Sequence, residues 1–186
     1  METGGDGGLR QEGQSHGTKI AAMAAVLLID LALNSTLDYD WYNDAYNGRA
    51  ASRLLLGLYG LQVVIEIAAF LVLFLAMADT FLFRVGLLGL LIKKFRPVLV
   101  VHPIYFALTI ATGAYRVRRF INDATLFILW QDKSFITLSY IQKFASIPYY
   151  LLNLRAVIKL ADPVYFNGKV WMDLMKAQKR GGGQFR

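Results

Sequence analysis

Residues 54–77 of the chain read LLLGLYGLQVVIEIAAFLVLFLAM, and this stretch decides the fold. Glu66 is its single ionisable residue apart from Tyr59, and nearly all the others are apolar. A helix needs about 20 consecutive, mostly apolar residues to cross the hydrocarbon core of a bilayer. We therefore predict that residues 54–77 form a transmembrane helix.

Three further apolar runs approach the same length, at residues 20–37, 97–115 and 135–152. The bulk composition agrees, because 56% hydrophobic residues and a mean hydropathy of +0.42 exceed what a soluble core hides in a chain of 186 residues. The sequence thus predicts an all-α, polytopic membrane protein whose four transmembrane helices form a small bundle over residues 20–160. Residues 80–92 are too few to cross alone and are expected to extend the second helix or to lie at the interface.

The charged residues indicate contact with lipid. The net charge is +7, but the basic residues lie mostly at the edges of the apolar runs, which fits lipid headgroups better than nucleic acid. There is no cysteine, so thiolate metal sites and a cysteine nucleophile are excluded. The two histidines, His16 and His102, are too few for a metal site or a Ser-His-Asp set, and His102 is interpreted as a satisfied polar residue. We expect neither an enzyme nor a cofactor.

Both ends of the chain are predicted to lie outside the bundle. Residues 1–19 contain six glycines and show no apolar period, which is typical of a disordered tail. Residues 161–186 form a basic segment in which Asp162-Pro163 ends the fourth helix. Residues 169–180 are predicted to form an amphipathic helix that lies on the membrane surface or offers a docking face to a protein. The candidate residues of this segment are Asp162, Pro163, Trp171, Lys176, Lys179 and Arg180.

The orientation follows from the basic residues on either side of the four predicted helices. The N-terminal tail, the loop between the second and third helices and the C-terminal segment together hold 13 lysines and arginines, whereas the two opposite loops hold six. Cytoplasmic segments of membrane proteins carry the excess of such residues. Both termini are therefore predicted to be cytoplasmic.

Ionisable residues within a membrane span are costly and often functional, and Asp30, Glu66 and Lys143 are of this kind. Polar neighbours four positions away place further groups on the same helix faces. The predicted buried polar cluster consists of Asp30, Asn34, Gln62, Glu66, Gln142 and Lys143. It allows two interpretations: a proton or ion relay, or a packing cluster in which Lys143 neutralises a carboxylate.

Several blocks of the chain carry a family resemblance. They are residues 79–87 (DTFLFRVGL), residues 105–108 (YFAL), Gln142-Lys143, and residues 160–163 (LADP) followed by Trp171. In order and spacing these blocks resemble the transmembrane protein 138 family, small four-span proteins of the cilium. The match runs collinearly over residues 79–180, and Asp30-Leu31, Asn34-Ser35 and Gln62 extend it upstream. No block is a catalytic signature.

The resemblance implies a role in cilium biogenesis, with residence in the ciliary membrane, at the ciliary base or at its transition zone. It also implies partners among the other membrane proteins of that gate, and residence in internal vesicle or vacuole membranes is a further option. Polar groups inside the bundle and small residues such as Gly86 and Gly89 suit lateral association, so we interpret the chain as a scaffold or assembly subunit. The alternative is a small transporter, channel or lipid-handling protein that uses the Asp30, Glu66 and Lys143 cluster.

Overall fold

The fold is a bundle of long helices. The computed structural model describes residues 6–36, 48–121, 130–166 and 170–171. Its elements, in chain order, are α1 (Asp6–Thr36), α2 (Gly48–Ala78), α3 (Phe81–Arg84), α4 (Leu88–Ile121), α5 (Lys133–Leu160) and a 3₁₀ turn (Pro163–Tyr165). The described ranges contain no strand, so the all-α prediction is confirmed.

Four of these helices are long enough to cross a bilayer. Within the described residues, Gly17–Thr36, Leu56–Ala78 and Leu88–Arg119 are both long and apolar enough to do so. At 28 residues, α5 measures about 42 Å, against a hydrocarbon core of about 30 Å. It is less apolar than α2 because it carries three lysines and one arginine as well as buried serine, glutamine and asparagine side chains. The four-span bundle predicted from the sequence is thus consistent with this architecture.

The helices extend further than the apolar runs that predicted them. α1 begins at Asp6 and so includes residues 6–19, which were predicted to be a disordered tail. Once a helix is nucleated, each added residue gains a backbone hydrogen bond, and the spanning part of α1 provides that nucleus. α4 begins at Leu88, and so takes up the end of the segment expected at the interface. It continues through Pro97 and Pro103, as α5 does through Pro148.

A short capped turn returns the chain from α2 to α4. The Thr80 hydroxyl donates to the Met77 carbonyl at 2.7 Å and accepts from the Phe83 N–H at 3.3 Å, which caps α3. Gly86 then adopts a φ of +79°, a conformation that disfavours residues with a side chain. The DTFLFRVGL block of the sequence therefore encodes a hairpin between two membrane helices.

Contacts at both ends show that successive long helices run antiparallel. At one end, Lys19 of α1 forms an ion pair with Asp79, which follows α2. At the opposite end, Asp132 caps α5 and accepts hydrogen bonds from Tyr115 and Arg119 near the end of α4. The start of α1 and the end of α5 consequently lie at the same end of the bundle.

Candidate functional site

The interior of the bundle holds a cluster of polar side chains that all four long helices supply. α1 supplies Asp30 and Asn34, and α2 supplies Gln62 and Glu66. The contributions of α4 and α5 are His102, Tyr105, Thr109, Gln142, Tyr149, Tyr150 and Asn153. Asp30, Glu66 and Asn153 are fully buried, so these groups depend on one another for hydrogen bonds.

Asp30 is held by two tyrosines. The Tyr150 hydroxyl donates to its Oδ2 at 2.9 Å, and the Tyr105 hydroxyl donates to the same oxygen at 3.3 Å. The two hydroxyls are 3.3 Å apart, and the rings of Tyr105 and Tyr149 stack with centroids separated by 4.2 Å. These contacts join α1 to α4 and α5.

Gln142 makes a second junction between the same three helices. Its Nε2 donates to Thr109 Oγ1 at 3.3 Å and lies 3.5 Å from Asn34 Oδ1. Asn34 and Gln142 were predicted members of the cluster, and the structure brings them together. A hydrogen bond between side chains of different membrane helices contributes about 0.6 kcal/mol on average, so such junctions fix the packing modestly.

His102 connects α4 to the two flanking helices. Its Nε2 lies 3.3 Å from the backbone carbonyl of Glu66, and its Nδ1 lies 3.1 Å from Asn153 Oδ1. Both partners are oxygens that can only accept, so a neutral imidazole, which has one N–H, donates to one of them at a time. Asn153 in turn donates to the Tyr149 carbonyl at 2.8 Å. The interpretation of His102 as a satisfied polar residue therefore holds for one ring nitrogen, while the other faces an acceptor oxygen.

Gln62 and Glu66 differ from the other members. Both are buried, at 1% and 0% exposure, yet neither oxygen of Glu66 and neither polar atom of the Gln62 amide makes a hydrogen bond by distance and angle. Asp30 Oδ1 and the Tyr149 hydroxyl are likewise buried and make no hydrogen bond. Gln62 nevertheless lies beside Asp30 and Thr109 beside Glu66, so both carboxyl groups have polar neighbours within the cluster.

Lys143 was predicted to neutralise one of the carboxylates. It is half-buried, next to Gln142, and no hydrogen bond reaches either oxygen of Glu66. Asp30 uses its Oδ2 for the tyrosines. The pairing of Lys143 with Asp30 stays a prediction, whereas a hydrogen bond from Lys143 to Glu66 is not present.

Sequence reasoning did not include the tyrosines, Thr109 or Asn153 in the cluster. A usable signal was present, because Tyr105 and Thr109 are four positions apart, as are Tyr149 and Asn153, and so each pair shares a helix face. Tyrosine was counted among the hydrophobic residues, so Tyr105, Tyr149 and Tyr150 were taken as part of the spans. The structure shows their hydroxyls pointing inward.

The candidate docking segment is described only at its start. Asp162 caps the 3₁₀ turn by accepting the Val164 N–H at 3.0 Å, and Pro163 is the first residue of that turn. Trp171 donates from its Nε1 to the Val164 carbonyl at 2.7 Å. Lys176, Lys179 and Arg180, together with most of the predicted amphipathic helix, lie outside the described residues. In the described ranges no group of three histidine or acidic residues is placed to bind a metal ion.

Comparison with known proteins identifies the family of the chain. The family described as Transmembrane protein 138 matches residues 55–175 of the chain. Transmembrane protein 138 of Xenopus tropicalis is 27% identical over 156 residues, which cover 84% of this chain and 90% of the relative. The Danio rerio protein of the same name is 28% identical over 149 residues, covering 79% and 89%. No solved structure matches the chain. Because the family match spans more than half of its residues, the chain belongs to the transmembrane protein 138 family.

Proposed function

We propose that this protein is a multi-pass membrane scaffold or assembly subunit that acts in cilium biogenesis, at the ciliary base or transition zone. It works by lateral association with other membrane proteins and without catalytic turnover. The observation that carries the proposal is the division of the bundle into a polar interior that ties the helices together and an apolar exterior.

The exterior supports association within the bilayer. Leu28, Val64, Leu71 and Leu151 are each more than half exposed, and they lie on three different helices. In lipid, such surfaces associate by shape, through van der Waals packing, because lipid tails are as apolar as the side chains. A scaffold therefore needs an outer surface whose shape is complementary to that of its partner.

Such a shape is present between α2 and α4. A groove of about 330 Å³ opens there, and its lining residues are Glu66, Ile67 and Phe70 of α2 and Leu99, His102, Pro103 and Phe106 of α4. The α4 residues are spaced by three and four positions, so they form one stripe along the helix. A stripe of this kind fits a neighbouring transmembrane helix.

The ciliary part of the proposal rests on the family to which the chain belongs. The cytoplasmic location of both termini is likewise proposed, and it is supported by Lys19, Lys94 and Lys159, which lie towards one end of the bundle. Epitope tags at each terminus, probed before and after the internal side is made accessible, test the orientation. Labelling of either tag from outside would contradict it.

The test of association is affinity purification of the full chain from ciliated cells in mild detergent, with identification of the co-purifying proteins. The variant Phe70→Ala with Phe106→Ala alters the groove, and Phe144→Ala, 71% exposed on α5, is the matched control. We expect the groove variant to lose ciliary membrane proteins that the control retains. Normal cilia in cells that lack the protein would contradict the proposal.

A second candidate function is transport of a proton or ion. It is favoured by both oxygens of Glu66 and by Asp30 Oδ1, which are buried and make no hydrogen bond. The combined variant Asp30→Asn with Glu66→Gln tests it in reconstituted liposomes. A scaffold shows no flux with or without these changes. Flux that the wild type shows and the folded variant lacks would decide for transport.

A further inference from the structure

A second groove lies at the end of the bundle where α4 begins and α5 ends. It has a volume of about 160 Å³. Lys94 borders it from α4, and Arg155 and Lys159 border it from α5. All three side chains are exposed, and Lys159 directly precedes the last residue of α5. The groove therefore lies near the level at which the bilayer meets water.

Among the described residues that line this groove there is no acid to balance the positive charge. Among the described residues, Arg155 and Lys159 form no ion pair. The neighbouring acid, Asp162, uses its Oδ1 to cap the 3₁₀ turn. Asp79 pairs with Lys19. Three cations around one recess repel one another, and an anion held between them would relieve that repulsion.

One of the cations is held in place by aromatic rings. The Nζ of Lys94 lies 4.8 Å from the centre of the Tyr165 ring and 5.8 Å from that of Trp171. Tyr165 is buried and packs against Phe95 of α4, with centroids 5.9 Å apart. The rings stabilise the ammonium without neutralising it, so its charge stays available to a ligand.

The remaining walls are apolar. Pro97, Val98 and Leu152 line the groove. Pro97 and Val98 lie deeper in the span than Lys94 of the same helix, and Leu152 lies deeper than Lys159. A ligand that fills the groove thus meets cations at the membrane surface and hydrocarbon below. That arrangement matches a phosphate headgroup attached to an acyl chain, and it does not match an acidic peptide, which has no apolar tail to place in the bilayer.

We propose that the groove between the start of α4 and the end of α5 is a binding site for an anionic phospholipid. Lys94, Arg155 and Lys159 contact the headgroup phosphate, while an acyl chain lies against Val98 and Leu152. Basic pockets between transmembrane helices recognise such headgroups in other membrane proteins. The lipid would hold α4 to α5 at the end where the C-terminal segment leaves the bundle.

The experiment measures binding of fluorescent phosphatidylinositol 4,5-bisphosphate to the purified full chain in mild detergent, with fluorescent phosphatidylcholine as the neutral reference. The test variant is Arg155→Gln with Lys159→Gln. Its matched control is Arg118→Gln with Lys133→Gln, two exposed cations at the opposite end of the bundle. We expect the test variant to bind the anionic lipid about tenfold or more weakly, and the control to bind within about twofold of wild type.

Two further variants separate charge, lipid and folding. Arg155→Lys with Lys159→Arg keeps both charges and should restore binding. Leu152→Trp fills the apolar part, so it should weaken binding of the lipid but leave binding of soluble inositol hexakisphosphate unchanged. Equal affinity of wild type and the Gln variant for the anionic lipid would overturn the proposal. Equal affinity of the wild type for the two lipids would also overturn it. So would an acidic peptide that binds the wild type more tightly than the anionic lipid does, with an affinity that Leu152→Trp does not change.

Discussion

The Tyr150 hydroxyl of α5 donates a hydrogen bond of 2.9 Å to Asp30 of α1, across 120 residues of sequence. Tyr105 donates to the same carboxylate oxygen. Asp30 is fully buried, so the tyrosines replace the water that would otherwise solvate it. This contact fixes the rotation of α1 about its axis, because Asp30 can reach Tyr150 from one face of the helix alone.

Tyr150→Phe should lower the stability of the bundle. The change leaves a buried carboxylate oxygen with one donor, and losing a hydrogen bond to such a group costs about 1.5 to 3 kcal/mol. Tyr140→Phe removes a hydroxyl from the same helix at a position that is 55% exposed, and it should have little effect. Thermal unfolding of both purified variants in one detergent makes the comparison. Equal midpoints would show that the Asp30 contact contributes nothing.

Gly113→Ala should destabilise the protein. A Cβ at Gly113 would lie 2.9 Å from Cδ1 of the Tyr59 ring, and that ring also lies under the Arg116 guanidinium at 5.4 Å, which restricts its retreat. Overpacking of this kind costs about 1 to 3 kcal/mol. Gly57→Ala meets nothing within 4 Å and should be neutral or stabilising. Thermal unfolding of both variants gives the result, and a stable Gly113→Ala protein would mean that the ring moves aside.

Glu66→Gln should be tolerated, whereas Glu66→Lys should prevent folding. Glu66 is fully buried and its oxygens make no hydrogen bond, so an amide of nearly the same size loses no hydrogen bond and cannot carry a charge into the interior. A lysine would carry a positive charge into the bundle interior beside His102, where charged residues are expensive. Yield and monodispersity after detergent extraction report the difference. A severe loss in Glu66→Gln would show that the carboxyl group itself is needed for folding.

Stability should depend on Asp132 at acidic pH. The hydrogen bond from Tyr115 at 2.5 Å, followed by the Ser134 N–H, holds the pKa of Asp132 below its usual value. A carboxyl whose pKa is lowered by folding contributes stability above its unfolded pKa and loses it as the pH falls through the folded pKa. Thermal midpoints between pH 7 and pH 3 should therefore fall less in Asp132→Asn than in wild type. Parallel curves would contradict this expectation.

The position of each helix could be predicted from the sequence, but the contacts between helices could not. Hydropathy marks where residues enter lipid, and residues 54–77 and 97–115 fall inside α2 and α4 as expected. Hydropathy did not predict the helix ends, since α1 and α5 continue beyond the apolar runs. Helical spacing correctly paired Gln62 with Glu66 on one face. It could not show that Asp30 meets tyrosines of α4 and α5, because that contact depends on the rotation and tilt of three helices.

The contact between Asp30 and Tyr150 also has a consequence for synthesis of the protein. α1 enters the membrane first, yet both donors to its carboxylate belong to segments made later, Tyr105 on α4 and Tyr150 on α5. Until residue 150 has left the ribosome and inserted, the nascent chain carries a buried acid without its final partners. A chain cut short by a stop codon before that point would keep its first three spans but leave α1 poorly anchored. Quality control in the membrane would then recognise the truncated product through its N-terminal helix, far from the site of the lesion.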